Sequence, residues 1–325
     1  MGIQAAPEVK FRLIQEAVSN DNNMLSISMM CQIAGVSRSG YYQWCSAKPA
    51  RDNREEVDRK DFDLILEAYR YRGYAKGVRG IHMRLLHMNI IMNVKKIRRL
   101  MRKYQLRCPI RGANPYRRMA KALATSNVAK NLVNREFRQG VRKVLLTDIT
   151  YLFYKGGKCY LSTILDAYTH EVLAYRISIS LKVEFVIETV ETLIREHGST
   201  LDTETIVHSD QGCHYTSQAF IEKLKDAAFV QSMSRRGNCW DNAPQESFFG
   251  HMKDEIAGLV CSLDSYGQVE ELVHDWMDYY NNDRGQWDLK KLTPKEFYEY
   301  TLTGVYPLPI YITTNCRGSA PDPEV

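Results

Sequence analysis

The chain is expected to hold an α/β domain with a mixed five-stranded sheet, preceded by two helical regions of helix-turn-helix character. Three observations predict this. Residues 141–260 alternate short β-branched runs with helical ones, residues 1–106 show helical periodicity throughout, and a strongly basic stretch joins the two. At 325 residues the chain is long for one domain, and its 44% hydrophobic content is enough to bury more than one core.

Taken in order, the first region spans 1–50. A helix is expected over Glu8 to Ser19, and Ser28 to Trp44 reads as a helix-turn-helix. Small Cys31 suits the helix crossing, Gly35 the turn, Ser37 the cap of the second helix, and Val36, Tyr41 and Trp44 the buried contacts. The same pattern serves a purely structural hairpin as well as one that docks on DNA or a protein. The second region, 51–106, opens on a charged segment to Asp61 that suits a solvated linker or a helix start. Phe62, Ile65, Leu66 and Tyr69 then recur at helical spacing, and Gly80 to Met88 and Val94 to Leu106 flank a short turn. In the last of these helices Ile97, Leu100, Met101 and Tyr104 alternate with Lys95, Lys96, Arg98, Arg99, Arg102 and Lys103, an apolar stripe opposed to a basic face that suits DNA phosphates.

Residues 107–140 form a basic connector with Pro109 and Pro115, expected to be of low compactness and to owe its order to DNA. From Lys95 to Lys143 there are sixteen Lys and Arg against Glu136 alone. That is +15 in 49 residues, so the other 276 carry −9. Such a stretch repels itself unless a polyanion is near, and nucleic acid is the expected partner.

The third region, 141–260, holds strand-like Val141 to Phe153, a hairpin turn at Lys155-Gly156-Gly157-Lys158, and strands over Cys159 to Leu165 and Val172 to Ile179. A helix over Glu184 to Glu196, a strand over Thr205 to His208, a helix over Ser217 to Ala227, a strand over Val230 to Met233 and a helix over Asn242 to Ile256 follow. Residues 261–304 are a helical, aromatic-rich extension. The tail, 305–325, carries four prolines and is expected to be extended or disordered.

Composition excludes several classes. No apolar run approaches the ~20 residues of a membrane span, and the first ten residues lack a signal peptide's basic start and apolar stretch, so a cytoplasmic protein is expected. The eight cysteines include no Cys-x-x-Cys pair, which fits reduced thiols better than a disulfide framework or a zinc site.

Three acids interrupt apolar patterns. Asp148 sits inside Val144-Leu145-Leu146-Thr147-Asp148-Ile149-Thr150-Tyr151, where a carboxylate costs stability unless paired or metal-bound. Asp210 ends the run Ile206-Val207-His208-Ser209, at a strand end where α/β folds bind ligands. Glu246 lies on the helix from Asn242, on the face that carries Lys253 and opposite Phe248, Met252 and Ile256. Any one of them could be an ordinary surface or capping acid. Together they describe an all-oxygen site for a hard cation, two Mg²⁺ ions with Mn²⁺ as substitute. Asp148 would be shared, and Asp210 and Glu246 would each complete one ion, for in-line displacement at phosphorus. Arg235, Arg236 and Lys253 are candidates for DNA phosphates, each also readable as an ordinary exposed cation. Asn242 suits an N-cap, His208 a buried hydrogen-bonded histidine, and Trp240 and the tyrosines of 279–300 chiefly core, with base stacking as the other use.

Three strings carry a resemblance: Thr147-Asp148-Ile149-Thr150-Tyr151; His208-Ser209-Asp210-Gln211-Gly212 with Tyr215-Thr216-Ser217; and the run from Ser232 to Phe249 containing Asp241-Asn242-Ala243-Pro244-Gln245-Glu246-Ser247. With Tyr279-Tyr280-Asn281-Asn282 and Leu292-Thr293-Pro294-Lys295-Glu296-Phe297, they resemble the orfB-type catalytic chain of the IS-three family of insertion-sequence transposases, over residues 60–300. The resemblance implies an RNase H-like integrase core with Asp148 on the first strand, Asp210 after the fourth and Glu246 on a late helix. It implies metal-dependent cleavage and strand transfer at the ends of a bacterial element. The partners implied are element-end and target DNA, further copies of the chain on DNA, and the DNA-binding protein of the element's upstream frame, all at the nucleoid. Where many relatives carry an Arg-Arg-His step, this chain has Asp283-Arg284-Gly285-Gln286-Trp287. A nuclease that cuts without joining, or a regulator that kept the fold without catalysis, are the rival readings, and the complete carboxylate set argues against the second.

Overall fold

The computed structural model describes residues 5–20, 23–108, 128–235 and 239–309. The chain divides into two compact units between Leu64 and Ile65.

In the first unit, α1 (Pro7–Val18), α2 (Ile27–Ala34) and α3 (Arg38–Ser46) pack Ile14, Met30, Cys31 and Tyr41 together, with Phe11, Val36 and Trp44 at the margin. The turn follows the expected chemistry. Ser26 accepts from the Met29 amide, Gly35 takes the left-handed conformation at φ 62° that ends α2, and the Ser37 hydroxyl accepts from the Gly40 amide at 3.1 Å. The charged segment after it is no linker: α4 runs unbroken over Lys48–Arg70. Pro49 lies in the first turn, where proline is tolerated, no glycine follows within the helix, and Glu56 pairs with Lys60 one turn on at 2.8 Å.

The second unit begins within α4. α5 (Val78–His87) and α6 (Val94–Lys103) are joined by a short turn, with the Asn93 side chain capping α6 through the Lys95 amide. Ile97, Leu100 and Met101 are buried, while Lys95, Arg98, Arg99, Arg102 and Lys103 are exposed and Lys96 is half-buried.

The sheet has five strands in the order β3-β2-β1-β4-β5: β1 (Val144–Tyr154), β2 (Gly157–Asp166), β3 (Val172–Ser178), β4 (Ile206–Ser209) and β5 (Val230–Met233). β1, β2 and β3 form an antiparallel meander, and β4 and β5 add in parallel beside β1. Crossover helices α7 (Val183–His197) and α8 (Gln218–Asp226) cover one face, burying Phe185, Val190, Leu193, Phe220 and Leu224 against Leu145, Ile164 and Val207. The other face receives α9 (Ala243–Val260) and α10 (Tyr266–Asn282), where Phe248, Met252, Ile256, Trp276 and Tyr280 meet Leu152, Leu161 and Leu165. The mixed-sheet α/β class expected from the sequence is the observed one.

The helical extension folds back on the α4–α6 region. Arg72 reaches Asp275, Asp278 and Asp283 at 2.8, 2.7 and 3.1 Å, and His87 bonds Glu296 at 2.8 Å on α11 (Pro294–Thr303). At the start of the tail Leu308 is buried with Leu86 and Leu292, and Tyr306 donates to the Lys290 carbonyl. Residues 310–325 lie outside the described residues, as do 109–127 of the connector. The described end of the connector is ordered against the core. Val133 packs with Val144, Leu146 and Ala167, and the Leu132 amide donates to Ser232 Oγ at 2.9 Å.

Candidate active site

Strand register sets the geometry. β1 and β4 run parallel with Leu146 beside His208. Two residues beyond that pair come Asp148, still within β1, and Asp210, directly after the end of β4. On its other side Asp148 faces Thr163 of β2. α9 packs across this face of β1, with Glu246 in its first turn.

The three carboxylates feel one another. Asp148 is pushed up to about 7, first by loss of hydration, then by the charge of Asp210 and, less, that of Glu246; the Ile149 amide, donating to Oδ1 at 2.7 Å, opposes the shift. Asp210 is also raised, by loss of hydration, although it keeps an exposed edge; it accepts from the Gly212 amide at 2.8 Å. A Cβ on Gly212 would stand 2.9 Å from that same oxygen, so a side chain there would have to move the Asp210 carboxylate. Lys253, two turns beyond Glu246, is close enough for its charge to favour the ionised Asp148. A buried tyrosine, Tyr215, is held far above its usual range by desolvation and by the charges of Asp148 and Asp210.

The donor set is oxygen alone, with mutual repulsion that a cation would relieve, and so it fits divalent metal. Among the described residues no three His, Cys, Asp or Glu side chains gather round one point.

The approach to α9 is built by residues the sequence reading passed over. Asp241 is fully buried and accepts from Arg235 Nε and Nη2 at 2.9 Å, from the Arg235 amide at 3.0 Å, from Arg135 Nε at 2.9 Å and from Asn131 Nδ2 at 3.0 Å. These bonds hold its pKa far below the usual carboxylate range, the Arg235 side chain being the largest cause. Gln245, also fully buried, donates to Thr163 Oγ1 at 2.5 Å and fixes the first turn of α9 beside Asp148. An acid directly before a helix and a glutamine beside Glu246 were the available signals, and neither has a periodicity that marks it out.

Other expectations fare variously. His208 is buried between Ser232 Oγ at 2.8 Å and Ser234 Oγ at 3.0 Å, with its pKa lowered by desolvation, as a structural histidine. Asn242 stands at the N-cap of α9 but makes no capping bond, because the turn before it is a 3-10 helix and its φ of −130° and ψ of 30° turn the amide away; its Oδ1 is buried without a partner. Trp240 is 69% exposed, so the core reading of it is corrected, whereas Tyr279 and Tyr280 are core. Arg235 spends part of its guanidinium on Asp241. Arg236 lies outside the described residues. The image of fifteen uncompensated charges is also corrected: Arg135 pairs with Asp241, Arg142 with Asp166 and Glu171, and Lys143 with Asp202 and Glu204.

Two families described as Integrase core domain match residues 138–239 and 229–294, and one described as HTH-like domain matches 56–114. The putative transposase InsK of insertion sequence element IS150 from Escherichia coli is 31% identical over 278 residues, covering 84% of this chain and 93% of its own length. The chain belongs to the IS-three family of insertion-sequence transposases. A 31 kDa protein of insertion element IS600 from Shigella sonnei is 30% identical to the transposase over 276 residues, 83% of this chain and 97% of that one. Among solved structures, the catalytic core of BIV integrase is 18% identical with a TM-score of 0.39, over 50% of this chain and 95% of that one. The transposase is thus a DNA-binding polynucleotidyl transferase with an integrase core, of a superfamily that is in general divalent-metal dependent. Among the described residues no helix is long and apolar enough to cross a membrane.

Proposed function

We propose that this transposase cuts DNA at the ends of its own element and joins the freed 3′-hydroxyls to target DNA, with Asp148, Asp210 and Glu246 as the reacting-site carboxylates. One observation carries the reading: Asp148, on the strand paired in parallel with the one that Asp210 follows, has its pKa raised by loss of hydration and then by the charges of Asp210 and Glu246. Asp148, Asp210 and Glu246 would hold two Mg²⁺ ions, which would supply Lewis acidity at the attacking and leaving oxygens. The chain's own residues do the rest. Gln245 and Thr163 hold the helix that carries Glu246, Tyr215 closes the site from the sheet's other face, and Lys253 offers a cation to a phosphate beside the carboxylates. Arg235, Arg236 and the basic face of Lys95, Lys96, Arg98, Arg99, Arg102 and Lys103 hold the flanking duplex. The working form is several copies on DNA at the nucleoid, with the upstream-frame protein as a further partner.

The test is to incubate the purified chain with element-end DNA and Mg²⁺ and to map cut and joined strands. Asp148→Asn, Asp210→Asn and Glu246→Gln should each lower both steps by more than about a hundredfold, because even residues that only support metal ligands cost 10- to 100-fold. DNA binding should persist in all three. Near-normal turnover in any one removes that residue from the site, and cutting without joining would favour a nuclease.

A further inference from the structure

We propose that the hairpin end of the β1–β2–β3 face, with the exposed rings of Tyr151 and Phe153 beside Lys158 and Arg176, is a binding surface for an unpaired DNA strand. The inference rests on the reading of the chain as a DNA strand-transfer enzyme and adds a surface to it.

Strand register builds the surface. Residues two apart on a strand share a face. Tyr151 and Phe153 therefore point the same way, and they are 43% and 60% exposed, while Thr150 and Leu152, on the other face, are buried. Across the ladder Tyr151 is paired with Tyr160 and Phe153 with Lys158. The rings of Tyr151 and Tyr160 meet edge to face at 5.2 Å, and Lys158 Nζ stands 5.8 Å from the Tyr160 ring. Ser162, the next residue of this face on β2, is paired with Arg176 of β3. Arg176 is half-buried, and its Nε is buried without a hydrogen-bond partner. At this end of the face the three strands thus contribute two cations and no acid.

Charge and spacing select the ligand. A guanidinium N–H without an acceptor is costly, and a phosphate satisfies it while neutralising both cations. Two residues along a strand advance roughly 6.6 Å, about twice the roughly 3.4 Å between nucleotides of a duplex strand. Successive bases reach the rings of Tyr151 and Phe153 only when drawn out of their stack, so the ligand is an unpaired strand rather than intact duplex. Aromatic faces beside cations are what such a strand requires. A second copy of the chain suits the surface less, because a twofold interface would set Lys158 and Arg176 against the same cations of its mate. The position fits as well. β4 pairs with β1 only as far as Leu146, so the hairpin projects beyond it, and Tyr151 follows Asp148 by three residues, about 10 Å along the strand. Asp148 lies on the α9 side, and a strand passing round the edge of β1 that β4 leaves unpaired joins the two.

The test is binding of the full chain in EDTA, where no cutting occurs, to a single strand carrying 5-iodouracil and to the blunt duplex of the same sequence. Ultraviolet cross-links should map to Tyr151 or Phe153. Phe153→Ala should weaken single-strand binding by about tenfold, the loss of one stacked base, and duplex binding by less than about twofold; Phe153→Tyr should keep most of the affinity. Lys158→Gln should make log affinity against log salt shallower by about 0.7 on the single strand. A 3′-overhang duplex and a gapped duplex then separate the sources, loss confined to the first assigning the strand to a cut end and loss confined to the second to opened target. Cross-links that all fall outside 151–153, unchanged single-strand affinity of Phe153→Ala, or an equal loss on the duplex overturns the proposal. So does a change of oligomeric state in Phe153→Ala with strand affinity intact, which would give the surface to a second copy. The Phe153 side chain is mostly exposed, so thermal unfolding of Phe153→Ala should match the parent and folding does not mask the result. Failure of the carboxylate variants to stop cutting would count against the active-site reading alone, since this binding needs no metal.

Discussion

At Asp148 a half-buried carboxylate occupies the middle of a paired strand, opposite Thr163 and level with Asp210, where an apolar residue would be the cheaper choice. Its raised pKa, about 7, records that cost. Ions that lift the repulsion should therefore select for geometry as well as charge. Mg²⁺ and Mn²⁺ are expected to support cutting and joining, while Ca²⁺, with longer and looser coordination, should permit DNA binding but little chemistry. Product mapping in each ion checks this, and full activity in EDTA would sink the metal assignment. Arg142 shows the opposite solution to a buried acid. It lies 3.4 Å from Asp166 and 2.7 Å from Glu171, and stacks on Tyr298 at 4.5 Å, so that its charge serves the fold.

The helices divide their labour by face. α9 buries Phe248, Phe249, Met252, Ile256 and Val260 and turns Glu246 and Lys253 away from that core. α6 buries three residues and carries its cations on the other side. That division makes a prediction for α6. Replacing Lys95, Arg98, Arg99 and Arg102 by neutral residues should flatten the slope of log affinity against log salt by roughly 0.9 for each phosphate left without its cation. Cutting of saturated DNA should survive, because these residues lie outside the carboxylate site. A salt titration of parent and quadruple variant decides it, and coincident lines would mean that α6 faces something other than DNA. Arg135 of the connector and Arg142 and Lys143 just after it, by contrast, are already paired with acids of the core, and they should contribute little to that slope.

Across the second unit, residues far apart in sequence fasten the helical module to the C-terminal helices. Arg72 meets three aspartates of the α10 segment, and His87 meets Glu296. Burial of His87 works against its charge, but the Glu296 carboxylate and the Met83 carbonyl outweigh it and raise its pKa above 6.5. For Glu296 burial again opposes ionisation, but the His87 and Thr293 bonds lower the pKa below 4.5. The signs follow by linkage. The histidine contribution is complete below pH 6.5 and is lost as pH rises through the higher folded value. The glutamate contribution is present above pH 4.5 and is lost as pH falls through the lower folded value. His87→Gln should cost about 1.5–3 kcal/mol near pH 6, the worth of a charge-assisted hydrogen bond. It should also flatten the parent's loss of stability between pH 6.5 and 8.5. Denaturant unfolding of both proteins across that range is the measurement, and parallel pH curves would show that the pair does not hold the module.

What the sequence determined by itself was whatever repeats locally. The strand and helix of each βα step, the serine and glycine of the first turn, the amphipathic α6 and the three interrupting acids all follow from short-range periodicity and capping, which act within a few residues of each other. The segment 51–61 was ambiguous because its charges suit a solvated helix and a linker equally, and only continuity with the apolar stripe after Phe62 resolves it. Tertiary structure alone decided three things. It brought Asp148 level with Asp210 by placing β4 parallel beside β1, a neighbour relation between residues sixty-two positions apart that no local pattern encodes. It paired Arg135, Arg142 and Lys143 with acids well removed along the chain, because charge neutralisation depends on distance in space and composition records only the sum. And it left Trp240 on the surface while burying the aspartate beside it, because a 3-10 turn sends consecutive side chains in different directions and hydrophobicity cannot say which one meets the core.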